Sequence, residues 1–162
     1  MVVTSTRGSR TAPPGDAEQL VAGVHEAMGS VLHRLHPALE AEGISLGQFW
    51  ALHLVSGLRS ASVSTVARHL FVSAPTVCAT VDQLEAAGLL TRRRSERDHR
   101  TVELCLTPKG RKVESRVWGR IGRLMAEAAR DLPPEDVATA LRVFSELNRR
   151  LDLIDTPGPE RS

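Results

Sequence analysis

Apolar residues recur at helical spacing in six stretches of this chain, and one stretch between the fourth and fifth alternates with period two instead. Leu20, Val24, Ala27, Val31, Leu35 and Leu39 trace the first stripe. Asp16 and Glu18 favour its positive dipole end, Pro37 predicts an interruption, and Gly43 predicts the stop. Ser45 caps a second helix over 46–56, with Phe49, Leu52, Leu54 and Val55 inward. Val66, Ala67 and Leu70 mark a short third helix, and Phe71-Val72 forms a turn. Ser73 then offers an N-cap oxygen to a fourth helix, Pro75 fits its first turn, Val77, Val81 and Leu84 form its buried stripe, and Gly88 stands past its end.

After Gly88 the period changes. Residues 89–94 and 101–106 read as two short strands, the second with Val102, Leu104 and Leu106 on one face. Thr107 and Pro108 suit the cap and first position of a fifth helix, striped by Val113, Val117, Ile121, Leu124, Met125 and Ala128. Leu132-Pro133-Pro134 ends that stripe, and Val137, Leu141, Phe144, Leu147, Leu151 and Ile154 define a sixth helix. Helix, tight turn, helix and β-hairpin in unbroken succession predict a mainly α winged helix-turn-helix with a small β wing. The apolar stripes of the first, fifth and sixth helices exceed what so small a core can cover. Burying them against a second copy predicts an intertwined helical dimer, with folding back onto the same subunit as the alternative.

The hairpin tip carries five arginines between Arg92 and Arg100 against Glu96 and Asp98, a local formal charge of +3. Such a loop suits phosphates or a narrow minor groove. Leu84-Glu85-Ala86-Ala87-Gly88-Leu89-Leu90, then Arg92 to Arg94, Asp98-His99-Arg100 and Leu106-Thr107-Pro108-Lys109-Gly110, resemble the MarR family of bacterial winged helix-turn-helix transcriptional regulators. The resemblance implies a homodimer in which Asp98 orients Arg100 at the wing tip and the Ser73 to Gly88 helix enters the major groove. It also implies a small-molecule pocket, often for aromatic anions, between the dimer helices and the DNA-binding lobe. The chain departs from the family at Phe71, where the turn usually holds glycine or a small residue, and at Ala79, where the recognition helix often carries arginine.

Composition adds bounds. The chain has 162 residues, the length of one domain, with 41% apolar and 25% charged residues, as in ordinary globular proteins. Net charge is only +2, but residues 62–111 hold 8 basic and 5 acidic groups, so the cationic excess falls on the segment nominated for DNA. The expected organisation is a disordered arm over 1–15, a helical dimerisation region over 16–44 and 107–154, a winged helix-turn-helix lobe over 45–106 and a flexible tail over 155–162. Without a membrane-length apolar run or a signal-peptide core, a cytoplasmic protein with no membrane partner is expected.

For direct chemistry, the polar candidates on the recognition helix are Ser73, Pro75, Thr76, Thr80 and Gln83, the last suited to adenine. The wing adds Arg92, Arg94, Arg97, Asp98, His99 and Arg100, with Arg93 among the phosphate contacts; surface pairing to Glu96 or Asp98 is the plainer alternative. By position, His33, Trp50, His53 and Trp118 are candidates to line an effector pocket. His33, His36 and Glu40 have helical spacing that permits shared metal coordination, but too few ligands accompany them, so no metal and no cofactor are expected. Cys78 and Cys105 read as buried structural thiols, with a redox-responsive regulator as the alternative. The absence of GxSxG, a phosphate loop, HExxH and CxxC argues against an enzyme. What remains is a regulator bound to a pseudo-palindromic double-stranded operator as a homodimer, a repressor released by a small aromatic or anionic effector. A winged helix used only for protein contacts is the remaining alternative.

Overall fold

The computed structural model describes residues 14–58, 60–94 and 102–151. The expected N-terminal arm and tail, and the wing-tip residues Arg97, Asp98, His99 and Arg100, lie outside the described residues. Among the described residues there are six helices and one two-stranded antiparallel sheet: α1 (Pro14–Glu42), α2 (Leu46–Gly57), α3 (Val63–Leu70), α4 (Ala74–Ala86), β1 (Leu90–Arg94), β2 (Val102–Leu106), α5 (Pro108–Ala128) and α6 (Pro134–Leu151). This is a winged helix-turn-helix, as the hydrophobic pattern predicted.

The chain falls into two units, Met1–Ile121 and Gly122–Ser162. In the first, the core is built from Leu35 and Leu39 of α1, Phe49, Leu52 and Val55 of α2, Val66 of α3, Val77, Val81 and Leu84 of α4, the wing's Leu90, Leu104 and Leu106, and Val113 and Val117 of α5. Strand register pairs Leu90 with Leu106 and Arg94 with Val102. The N–H of Leu104 also donates to the carbonyl of Ala61 at 2.7 Å, which ties the wing to the segment before α3. Arg116 forks onto Glu42, Nε to Oε1 and Nη2 to Oε2 both at 2.6 Å, which joins α5 to α1 and holds the Glu42 carboxyl below its ordinary pKa. In the second unit, α6 buries no residue and leaves Leu141, Phe144 and Leu151 exposed.

Two sequence expectations need correction. Helix α1 runs through Pro37 without interruption; Pro37 lies on the exposed side, and Leu35 and Leu39, packed into the core on either side of it, hold the helix together. Along the α1 stripe Leu35 and Leu39 are buried within the subunit, and Leu20, Val21, Val24 and Met28 are left exposed by it. Val102, expected on the inner face of its strand, is 48% exposed, because it pairs with Arg94 at the far end of the hairpin, beyond the reach of the core.

The same hydrogen-bond pattern closes α1, α3 and α4. The N–H groups of Ile44, Val72 and Leu89 each reach back five residues to the carbonyls of Leu39, Ala67 and Leu84. That pattern needs a left-handed residue just before the donor, supplied by Gly43 at φ 66°, Phe71 at φ 54° and Gly88 at φ 68°. Glycine enters this region freely; a residue with a Cβ does so at a cost of about 1 kcal/mol. Phe71 is 96% exposed, so its ring gains nothing from burial in return. Phe71→Gly is therefore expected to stabilise the fold by about 1 kcal/mol, raising the melting temperature by about 3 °C. A lower melting temperature in a calorimetric scan would show that the ring has a packing role in the native assembly.

Candidate nucleic-acid interface

Helix α4 begins at a built N-terminus. Ser73 Oγ accepts the N–H of Thr76 at 3.3 Å and lies 2.7 Å from the Thr76 hydroxyl. No acidic residue occupies the first turn, so the partial positive charge of the exposed amides is left for an external anion. Val77, Val81 and Leu84 fix the inner face, which leaves Ser73, Pro75, Thr76, Cys78, Ala79 and Gln83 on the exposed edge. Thr80 is half-buried and turns its hydroxyl back to the Thr76 carbonyl at 3.0 Å. Gln83 meets Gln48 of α2, whose Nε2 donates to Gln83 Oε1 at 2.9 Å.

The wing is fastened to this helix by Arg92. Its Nη2 lies 2.7 Å from Asp82 Oδ1, its Nη1 pairs with Glu85 Oε2, and its backbone N–H donates to Glu85 Oε1 at 3.1 Å. The Asp82 hydrogen bond, then that of Glu85, pushes the guanidinium pKa above its ordinary value. Arg92, read from sequence as a nucleic-acid contact, is thus gripped by two carboxylates of α4. Arg93 and Arg94 are exposed and pair with no carboxylate among the described residues. The base of the hairpin is equally fixed: Thr107 Oγ1 donates to the Gly88 carbonyl at 2.8 Å, Lys109 Nζ to that of Ala87 at 2.9 Å, and Arg111 Nη1 to that of Leu106 at 2.7 Å.

Of the effector candidates, the fold gathers three. The rings of His53 and Trp118 stack with centroids 4.0 Å apart, and Trp50 meets His53 edge-on at 5.8 Å. Glu114 fixes the imidazole, Oε1 to Nδ1 at 2.9 Å. His33 is exposed on α1 and makes no ring contact with this cluster among the described residues. His36 Nδ1 lies 3.5 Å from Glu40, and no group of three or more His, Cys, Asp or Glu among the described residues is placed to hold a metal ion. Cys78 corrects the sequence reading: it is exposed, because it follows Val77 and so falls off the stripe that α4 buries; Cys105 is half-buried. Sequence reasoning missed Asp82, Glu85, Glu114 and Gln48. Only Gln48 left a local signal, as the fourth residue of the capping box Ser45-Leu46-Gly47-Gln48.

Comparison with known proteins places this geometry. Residues 42–101 match the sequence profile of the MarR family. The chain is 26% identical over 136 residues to the HTH-type transcriptional repressor MdtR of Bacillus subtilis, covering 81% of this chain and 87% of MdtR. A MarR family protein from Bacillus stearothermophilus shares its fold with a TM-score of 0.77 at 20% identity, over 88% of this chain and 99% of that one. Staphylococcus aureus MarR, solved in complex with salicylate and kanamycin, superimposes with a TM-score of 0.75 at 19% identity, over 85% and 93% of the two chains. No helix among the described residues is long and apolar enough to cross a membrane. With its helix-turn-helix, its arginine-bearing wing and its profile match over residues 42–101, the chain has the winged helix-turn-helix fold of MarR family proteins and is similar to their transcriptional regulators.

Proposed function

We propose that the protein is a homodimeric, sequence-specific repressor that binds a pseudo-palindromic duplex operator and is released by a small aromatic or anionic effector. Residues 45–106 form the DNA-binding lobe, and 16–44 with 107–154 form the dimerisation region. Ser73, Pro75, Thr76, Thr80 and Gln83 face the major groove. Arg94, with Arg97, Asp98, His99 and Arg100 of the tip, addresses phosphates and the minor groove. The Arg92 clamp carries this reading, since it makes helix and wing one rigid reader rather than two independent ones. The exposed apolar residues of α1 and α6 support pairing with a second copy.

The test is a fluorescence-anisotropy titration of labelled duplex over a range of salt. Log affinity falls linearly with log salt, at a slope of about −0.9 per phosphate neutralised. Arg94→Ala flattens that slope by about one phosphate, whereas Arg92→Ala weakens binding and leaves the slope unchanged, because Arg92 is engaged by Asp82 and Glu85. Equal slopes for the wild type and both variants would contradict the assignment, and salt-independent binding would contradict DNA as the ligand.

For release, the Trp50, His53 and Trp118 cluster is the candidate effector site, supported by the salicylate bound to the Staphylococcus aureus relative. Salicylate is expected to quench tryptophan fluorescence and to lower operator affinity together, and His53→Ala removes both effects. Quenching that leaves operator affinity untouched would separate that cluster from regulation. A second reading is favoured by the exposure of Cys78 on α4: oxidation there adds a polar oxygen to the edge that faces the groove. Peroxide that releases the operator from the wild type but not from Cys78→Ser would establish it.

A further inference from the structure

Gln48 lies on α2, outside the helix read as entering the groove, yet its hydrogen bonds bear on what Gln83 presents there. A backbone N–H only donates, so the Ser45 N–H, 2.8 Å from the Gln48 side chain, requires the carbonyl oxygen Oε1 at that position. The other end of the Gln48 amide is therefore its NH2, and NH2 only donates. It lies 2.9 Å from Gln83, which must answer with its own oxygen. The orientation of both amides thus follows from one backbone N–H rather than from free rotation. Ser45 Oγ completes the box by accepting the Gln48 N–H at 3.2 Å, so the Gln48 end of the relay is anchored twice.

We infer that the α2 capping box fixes the Gln83 amide with its NH2 as the free end, making Gln48 a specificity-determining residue for the DNA sequence. The inference rests on the reading of α4 as the helix that enters the major groove. Gln83 has one lone pair of its oxygen engaged and its amide plane set by that bond, which leaves NH2 as its free end and disfavours the paired donor and acceptor contacts that let glutamine choose adenine. It favours bases whose major-groove edge offers acceptors without a neighbouring donor, guanine (O6 and N7) or thymine (O4), over adenine, whose N7 acceptor lies beside the N6 donor, and disfavours cytosine, which offers the N4 donor. This replaces the adenine preference that glutamine alone suggests.

The inference has a sharp test, because one substitution inverts the relay without removing the cap. In Gln48→Glu one carboxylate oxygen still accepts the Ser45 N–H, as glutamate does in capping boxes, but the other can no longer donate. Gln83 then turns its NH2 toward that carboxylate and its oxygen toward the groove. Full-length wild type, Gln48→Glu, Gln83→Glu and Gln83→Ala are each used to select from a randomised duplex library. The wild type is expected to favour guanine or thymine at one position of each half-site by roughly fivefold. Gln48→Glu moves that one position to cytosine or adenine and leaves the others alone; Gln83→Glu, which only accepts, moves it the same way; Gln83→Ala flattens it. Unchanged melting of Gln48→Glu shows that the cap survives.

Identical selections from the wild type and Gln48→Glu, with Gln83→Ala flattening one position, would overturn the relay while leaving Gln83 as a base reader. A Gln83→Ala selection identical to the wild type would overturn the inference by removing Gln83 from the readout. A wild type that enriches no sequence at all would overturn the groove-reading assignment on which the inference stands.

Discussion

Gly110→Ala is expected to lower the unfolding free energy by about 3 kcal/mol or more. A Cβ built on Gly110 meets the Leu89 carbonyl oxygen at 1.9 Å and its carbon at 2.9 Å, and both are backbone atoms. Neither side of the contact is free to retreat. Leu89 donates its N–H to Leu84 at 2.8 Å and accepts from the Thr107 N–H at 3.1 Å, while the side chains of Leu89 and Leu90 are buried. Gly110 in turn donates to Thr107 Oγ1 at 3.0 Å, the cap that starts α5. Moving them apart opens the joint where the end of α4, the first wing strand and α5 meet, so the damage reaches the DNA-binding edge. Gly57→Ala is the control: its Cβ meets nothing within 4 Å, and its effect stays within about 0.5 kcal/mol. Urea unfolding followed by circular dichroism decides the matter, and coincident midpoints for wild type and Gly110→Ala would refute the joint.

The second large effect is on assembly. If the protein pairs through α1 as proposed, the double variant Val21→Glu with Met28→Glu is expected to sediment as a monomer at concentrations where the wild type sediments as a dimer, and to bind operator duplex at least about a hundredfold more weakly. These side chains are 69% and 51% exposed within one subunit, so charges there cost the isolated subunit little. Against a partner's apolar face the same charges lose their water without gaining a counter-ion, a penalty of several kcal/mol. Loss of the dimer also loses the link between two recognition helices about 34 Å apart, which makes the second half-site contact effectively intramolecular. A double variant that remains dimeric would move the interface away from this stretch of α1.

How much of this was legible follows from the range over which each residue acts. The caps at Ser45, Ser73 and Thr107, the stops at Gly43 and Gly88, and the stripe Val77, Val81, Leu84 are governed by neighbours within a turn or two, and the structure has them as the pattern predicted. Phe71 is a partial case: the turn was legible, but its left-handed backbone emerged only from the hydrogen bonds shared with the two glycine stops. Pairings between distant segments left no local trace. Nothing near Arg92 announces that Asp82 and Glu85 close on it, and the stack of His53 on Trp118 joins α2 to α5. The outer stripes were legible as apolar faces, but periodicity reports which face is apolar, not which chain covers it.

The central claim is that two copies of this chain grip one duplex. Native mass measurement of the purified full-length protein, mixed with a duplex it selects from a random library, tests that claim most directly. The account predicts a complex of two chains on one duplex, which dissociates as salt is raised. A complex holding a single chain, or a dimer that leaves the duplex free at low salt, would contradict it.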